Sequence, residues 1–333
     1  MADNNLILAG DIGGTKTHLA LVSVDGEKLR FESERTFPSK EYPGLEPVLH
    51  EFLTHGVNKI STACFGVAGP VVEGSVKTPN LPWIIDALEL KNQLNLPSVA
   101  LLNDLEAAAF GIFTLEADEF ICLNEGSARR PANKALIAAG TGLGEALLYD
   151  DGRNYHPIAS EGGHGDFAAR NDIEIELLRH LTRKFGRVSY ERVVSGPGIA
   201  DIYEFLRDSG QYDEPRSFQE KLATGGDRSA LISQAALAGE PEICVKALDV
   251  FVSAYGAEAG NLALRGKAIG GVYIGGGIAP KIQNKLVEGL FMRAFVAKGR
   301  YKEFVSAIPV YLITNEKTAL QGAAYYGAFR SNG

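Results

Sequence analysis

Few cysteines, no basic excess and no long apolar run: these absences narrow the field first. Three cysteines, Cys64, Cys122 and Cys244, stand far apart among 333 residues. They form no C-x-x-C pair, and an odd number makes a poor disulfide framework. Cys64 and Cys122 lie in apolar, strand-like runs, which predicts buried, reduced thiols. The formal net charge is -8. A chain this acidic lacks a broad basic field for phosphate backbones, so nucleic-acid binding is disfavoured, while a local basic pocket for a nucleotide is allowed. No apolar run approaches the ~20 residues that span a bilayer, so no membrane association is expected. Met1-Ala2-Asp3-Asn4-Asn5 has no basic flank leading into an apolar signal region. The expectation is a cytoplasmic protein.

What is present is an ordinary globular composition, 45% apolar and 22% charged. The length is too great for one compact core and predicts two domains. Leu6-Ile7-Leu8-Ala9 reads as a strand, Gly10-Asp11-Ile12-Gly13-Gly14-Thr15 as a turn, and His18–Val22 as a second strand. The pattern returns at Ala135–Ala139, Gly140-Thr141-Gly142-Leu143-Gly144 and Glu145–Tyr149. This reads as a degenerate internal duplication, one copy opening each domain. A third glycine turn, Gly275-Gly276-Gly277, follows the strand Gly271–Ile274. Helical spacing places Ile173, Leu177, Leu178 and Leu181 on one face of 172–185, and Val245, Leu248, Val252, Tyr255 and Leu262 on one face of 242–264. Strands alternating with helices indicate an α/β architecture. The stretch 208–229, rich in charge, glycine and proline, reads as a surface connection with little role in chemistry.

Glycine turns after strands bring backbone N–H groups close to phosphate oxygens, because no Cβ obstructs the approach. Residues Gly10 to Thr17 fail as a Walker A loop, since Thr15 intervenes before Lys16-Thr17. They fail as a dinucleotide fingerprint, since a strand and not a helix follows. A hairpin whose tip grips phosphate fits both copies. The competing reading is a plain tight hairpin. Asp11 inside such a turn would repel phosphate unless a cation such as Mg²⁺ intervenes. It could equally satisfy its own backbone as a turn residue.

Ser98–Leu102 reads as a buried strand ending at Asn103-Asp104, with a strong helix former, Leu105–Phe110, behind it. Ligands of α/β sheets bind at the carboxyl ends of strands. A kinase acting on an alcohol needs a carboxylate there to accept the hydroxyl proton. Helix capping by either residue is the rival reading. Capping needs only one polar residue and here there are two, so Asn103 could hold a neighbouring sugar hydroxyl. Ser160-Glu161-Gly162-Gly163-His164-Gly165-Asp166 packs three ionisable groups among glycines, which suits paired donors and acceptors for ring hydroxyls. A metal site built on His-x-Asp plus Glu, or a purely structural loop, also fits. Glu191, which by itself reads as an exposed helix-end glutamate, precedes Ser195-Gly196-Pro197-Gly198, which opens a helix where nucleotide phosphates bind well.

Together these residues resemble the bacterial glucokinase family of the hexokinase–actin–Hsp70 superfamily, over nearly the whole chain. The resemblance rests on Gly10–Thr15, Gly66-Val67-Ala68-Gly69-Pro70, Asn80-Leu81-Pro82-Trp83, Asn103-Asp104, Gly140–Gly144, Glu161-Gly162-Gly163-His164 with Glu191, and the glycines at 196 and 275–277. It implies a two-lobed actin-like ATPase (ribonuclease H-like) fold with a central cleft. The expected domains are 1–112 with 309–333, and 113–308. It implies ATP-dependent phosphorylation of glucose at the 6-hydroxyl, with Asp104 as the base. Asn80, Asn103, Asp104, Glu161, His164 and Glu191 become the expected glucose contacts. Gly10, Asp11, Ile12, Gly13, Gly14, Thr15, Gly140, Thr141, Gly142, Gly196, Gly276 and Gly277 become the expected ATP contacts, with Asp11 facing Mg²⁺. Glucose and ATP are the expected small-molecule partners, and a homodimer the expected assembly. The cysteine-rich zinc motif of the related ROK kinases is absent, which argues against that branch. Sugar-responsive repressors of the superfamily carry an N-terminal DNA-binding module, and a first strand at Leu6 leaves no room for one. The alternatives are a kinase for mannose or fructose, and a sugar-binding regulator without catalysis.

Overall fold

Apolar runs on either side of each glycine turn fold back on themselves and seed two mixed sheets. The computed structural model describes residues 6–54, 60–127 and 130–330. Its contacts divide the chain into two units, Met1–Ala117 with Asn315–Gly333, and Asp118–Thr314.

In the first unit, β1 (Leu6–Ile12), β2 (Lys16–Asp25), β3 (Lys28–Pro38) and β4 (Ile60–Val67) precede a small hairpin of β5 (Ser75–Lys77) and β6 (Ile84–Asp86); β7 (Val99–Asn103) follows. The main sheet has the order β3-β2-β1-β4-β7. β1 pairs antiparallel with β2 and parallel with β4, and β4 pairs parallel with β7. The continuous apolar run of β1 suits its central place, covered on both faces. One face packs against the helices Asp104–Gly111 and Thr318–Phe329, where Ile7, Ala9, Cys64, Leu102, Phe110, Leu320 and Ala323 form one buried cluster. Those two helices approach through glycine. A Cβ on Gly322 would lie 1.7 Å from Ala107 O, and one on Gly111 would lie 2.0 Å from Thr318 O.

The second unit holds β8 (Phe120–Asn124), β9 (Lys134–Ala139), β10 (Leu143–Asp150), β11 (Tyr155–Ser160), β12 (Val272–Gly275) and β13 (Val310–Ile313), ordered β11-β10-β9-β12-β13-β8. Its first five places repeat the order and sense of the first sheet, and β8 adds an antiparallel edge. The strand–turn–strand units read from the sequence are both antiparallel hairpins, and their shared topology is the structural form of the duplication. β13 pairs with β12 and β8, so it belongs wholly to this unit; the contact boundary falls at 314/315, where the sequence reading drew 308/309, and the earlier boundary at 117/118 against 112/113.

The helix Asp172–Phe185 buries Leu177 and Leu181, as its spacing predicts. The helix Glu242–Gly266 is buried on most of its circumference, including Leu248, Val252, Tyr255 and Leu262. Three expectations fail. Gly10, Asp11 and Ile12 continue β1 because they pair with Leu19, His18 and Thr17, so the turn is confined to Gly13–Thr15. Cys122 is exposed, because β8 is an edge strand with one open face, whereas Cys64 and Cys244 are buried. The stretch 208–229 is not a featureless connection: it contains the helix Arg216–Ala223 and delivers Asp227 and Ser229 to a cavity.

Candidate active site

The first unit gathers its polar candidates at the carboxyl ends of three parallel strands. The pairing sets Asp11 beside Gly66 and Leu102, and Ile12 beside Val67 and Asn103. Ala68 N donates to Ile12 O at 3.1 Å, and Asn103 Nδ2 donates to Gly69 O at 3.0 Å, so the strand ends are tied together. Asn103 also caps the helix Asp104–Gly111. Its Oδ1 accepts from Leu105 N at 2.9 Å, and Glu106 Oε2 accepts from Asn103 N at 3.0 Å. This capping box was open between two residues in the sequence, and Asn103 takes it. One amide hydrogen of Asn103 remains for a ligand.

Asp104 is the first residue of that helix, and its Oδ1 accepts from Leu105 N at 2.9 Å. Its charge reaches the buried Asp11. Burial raises it to about 7, and repulsion from Asp104 adds to the shift. Above it, the β1–β2 turn closes through Gly13 N to Lys16 O at 2.9 Å. Ser39 braces this turn: its Oγ donates to Gly13 O at 2.8 Å, its N donates to Thr15 O at 3.0 Å, and its Oγ meets Thr17 Oγ1 at 3.0 Å. Ser39 and Thr17 are fully buried. Nothing in the sequence around Ser39 marks that role. Asn80 packs on the same turn, its Cβ 2.8 Å from where a Gly14 side chain would begin. Lys16 points outward as an exposed residue.

The second unit brings Glu161, His164 and Glu191 together. His164 Nε2 lies 3.7 Å from Glu161 Oε2, and His164 Nδ1 lies 3.8 Å from Glu191 Oε1. These separations exceed hydrogen-bond length, so donor and acceptor capacity stays open to ligand hydroxyls. Asp166 pairs with Arg187 at 2.8 Å instead, which removes it from the metal set the sequence allowed. Glu191 Oε2 accepts from Leu143 N at 3.0 Å and lies 2.6 Å from where a Gly142 Cβ would stand. One carboxylate thus serves both the histidine segment and the second glycine turn.

The remaining glycines converge on a cavity of about 650 Å³. Gly196 N donates to Gly140 O at 2.8 Å, and Ser229 Oγ donates to Gly196 O at 2.6 Å. Gly276 has a φ of +83°, and a Cβ there would lie 2.4 Å from Ala139 O. Only glycine fits that approach. Gly140, Thr141, Gly196 and Gly277 line the cavity with Asp227, Ser229, Gln234 and Lys281, over an apolar floor of Ile199, Leu237, Ile278 and Ile282. The helix Gly196–Asp208 starts here, capped by Ser195 Oγ on Gly198 N at 3.1 Å. Its N–H groups and dipole favour an anion.

A family model described as Glucokinase matches residues 8–329. The chain belongs to the glucokinase family. Glucokinases of Nostoc sp. and Synechocystis sp. are 41% and 40% identical to it, over 97% and 96% of this chain and 99% and 97% of theirs. The crystal structure of a glucokinase from an Antarctic psychrotroph is 34% identical, with a TM-score of 0.86, covering 97% of this chain and 99% of that one. A ROK family glucokinase from Streptomyces griseus, solved with glucose and AMPPNP, shares the fold at 21% identity and a TM-score of 0.66, covering 97% and 99%. The fold of this glucokinase-family chain is therefore the actin-like ATPase fold.

Proposed function

We propose that this glucokinase-family chain transfers the γ-phosphate of ATP to the 6-hydroxyl of D-glucose, with Asp104 as general base. The observation that carries the base is local: Asn103 forms the capping box, and Asp104 stands next to it at the end of β7, in the first turn of the helix Asp104–Gly111. Asp104 accepts the hydroxyl proton as the oxygen–phosphorus bond forms. Asn80, Asn103, Glu161, His164 and Glu191 hold the remaining hydroxyls, each ring hydroxyl giving and accepting one hydrogen bond. The cavity of the second unit takes the nucleoside on its apolar floor. The end of β1 with its turn, Gly10–Thr15, the turn Gly140–Gly142 and the N–H groups behind Gly196 take the phosphates.

Mg²⁺ fits the donor set. Asp11 offers a hard oxygen ligand, and its carboxyl, raised by burial and by repulsion from Asp104, would be favoured in its charged form by a neighbouring cation. Among the described residues no group of three His, Cys, Asp or Glu side chains could cage a metal. Mg²⁺ needs no such cage, being held by one or two carboxylates together with phosphate oxygens and water. Bound with ATP, it neutralises charge on the transferring phosphate. A homodimer in the cytoplasm belongs to the same proposal, by resemblance. Among the described residues no helix is long and apolar enough to cross a membrane.

The test is a coupled assay for hexose 6-phosphate over a sugar panel, with and without Mg²⁺. Glucose should be the preferred acceptor and chelation should stop turnover. Preference for mannose or fructose would reassign the substrate, and no phosphorylated sugar at all would sink the kinase reading.

A further inference from the structure

An acid pair lies beneath the sugar segment of the second unit. Glu145, on β10, is 1% exposed, and Glu258, on the helix Glu242–Gly266, is fully buried. Both approach Arg265 Nη1, at 3.7 Å and 2.6 Å. Asn261 Nδ2 donates to Glu258 Oε2 at 2.8 Å and lies 3.1 Å from the Tyr190 hydroxyl oxygen. Lys298 Nζ donates to Asn261 Oδ1 at 2.5 Å. Tyr255 faces Glu145 from the same helix, and Arg170, held by Glu174, stands behind Lys298. Glu145 Oε1 has no hydrogen-bond partner among the described residues.

Two buried carboxylates on one half-exposed guanidinium cannot both hold a charge without a large desolvation penalty. Burial and Glu258 raise Glu145 to about 8, against the pull of Arg265. The fold itself asks for no acid here. Counting from the hairpin tips, Glu145 pairs with Ile137 at the place where Leu19 pairs with Gly10 in the first sheet, and Leu19 is fully buried.

What the acid does touch is the sugar segment. A Cβ on Gly162 would lie 2.2 Å from Glu145 Oε2. Ser160 Oγ donates to Glu145 O at 3.1 Å and accepts from Gly162 N at 3.3 Å. Tyr190 N donates to Gly165 O at 2.9 Å, so the same network grips the far end of the segment.

We propose that Glu145, sharing one proton with Glu258, is a positioning residue that sets the Gly162 turn and with it the sugar contacts Glu161 and His164. The proposal rests on the sugar-site reading above. With the proton in place the pair carries one charge, matched by Arg265. Its loss places a second charge directly under Gly162 and disturbs the turn. The stability sign follows from linkage. The folded protein keeps a proton that the unfolded carboxylate gives up, so stability falls as pH rises from the ordinary glutamate range to about 8.

Glu145→Gln keeps the shape and removes the Glu145 titration, while Lys298, which burial lowers to about 8, titrates in both proteins. The variant's melting temperature should gain on the wild type progressively between about pH 5 and pH 8. A difference that does not change with pH overturns the shared proton. The wild-type KM for glucose should rise about fivefold between pH 7 and pH 9 with kcat steady, while Glu145→Gln stays flat and Glu258→Gln behaves likewise. A glutamine variant whose KM climbs with the wild type overturns the positioning role. Calorimetric glucose affinity, measured over the same pH range, separates the two readings. Wild-type protein that binds glucose without phosphorylating it defeats the kinase reading, and the pH dependence of that affinity still decides the Glu145 role.

Discussion

Glu191 accepts a hydrogen bond from Leu143 N, and through it the residue beside His164 also shapes the second glycine turn. Losing a charged acceptor from a backbone N–H costs about 1.5–3 kcal/mol, about tenfold or more in affinity. Glu191→Ala should therefore raise KM for glucose and for ATP together. Glu191→Gln keeps an acceptor for Leu143 N and should spare ATP. Initial rates with each substrate varied decide it, and an unchanged KM for ATP in the alanine variant would show that the turn does not depend on Glu191.

Asp104 combines a structural place with the chemical role proposed for it. Because Asn103 carries the cap, Asp104→Ala should leave the helix intact. A general base contributes about 10²–10⁴ in rate, so turnover should fall about a thousandfold while calorimetric glucose binding persists. A variant with wild-type kcat would remove Asp104 from the chemistry.

Ala230 lines the cavity of the second unit together with Gly140 and Thr141. Ala230→Phe narrows the cavity proposed for the nucleoside, whose lining does not include Glu161, His164 or Glu191. KM for ATP should rise about tenfold or more, the equivalent of ~1.4 kcal/mol, with glucose affinity unchanged. Equal effects on both substrates would mean that the cavity is not the nucleotide site.

Gly322 lets the helix Thr318–Phe329 touch the helix Asp104–Gly111 at Ala107 O. A methyl group there must push the helices apart, at about 3 kcal/mol for overpacking. Gly322→Ala should lower stability to urea by that order and lower kcat as well, since the displaced helix carries Asp104. Unfolding curves that superimpose on the wild type would contradict the packing described.

Much of this was legible in local patterns. The hairpins could be read because apolar runs flank each glycine turn, and the helix Asp172–Phe185 because its apolar residues repeat with helical spacing. Composition misled at 208–229, where charge and glycine suggested idle surface but Asp227 and Ser229 reach the cavity. Cys122 misled because an edge strand and a central strand read alike. Ser39 and the Glu145–Glu258 pair were invisible for a different reason. Their meaning lies in partners far along the chain, and a lone serine or glutamate in sequence gives no hint of a buried neighbour.

The first unit is discontinuous, closed by Asn315–Gly333. During synthesis, Ile7, Ala9, Cys64, Leu102 and Phe110 emerge long before Leu320, Ala323 and Ala324, which complete their cluster. The nascent sheet therefore waits with an apolar face bare while the whole second unit is made. Until the helix Thr318–Phe329 is made, that bare face is open to aggregation and to chaperones.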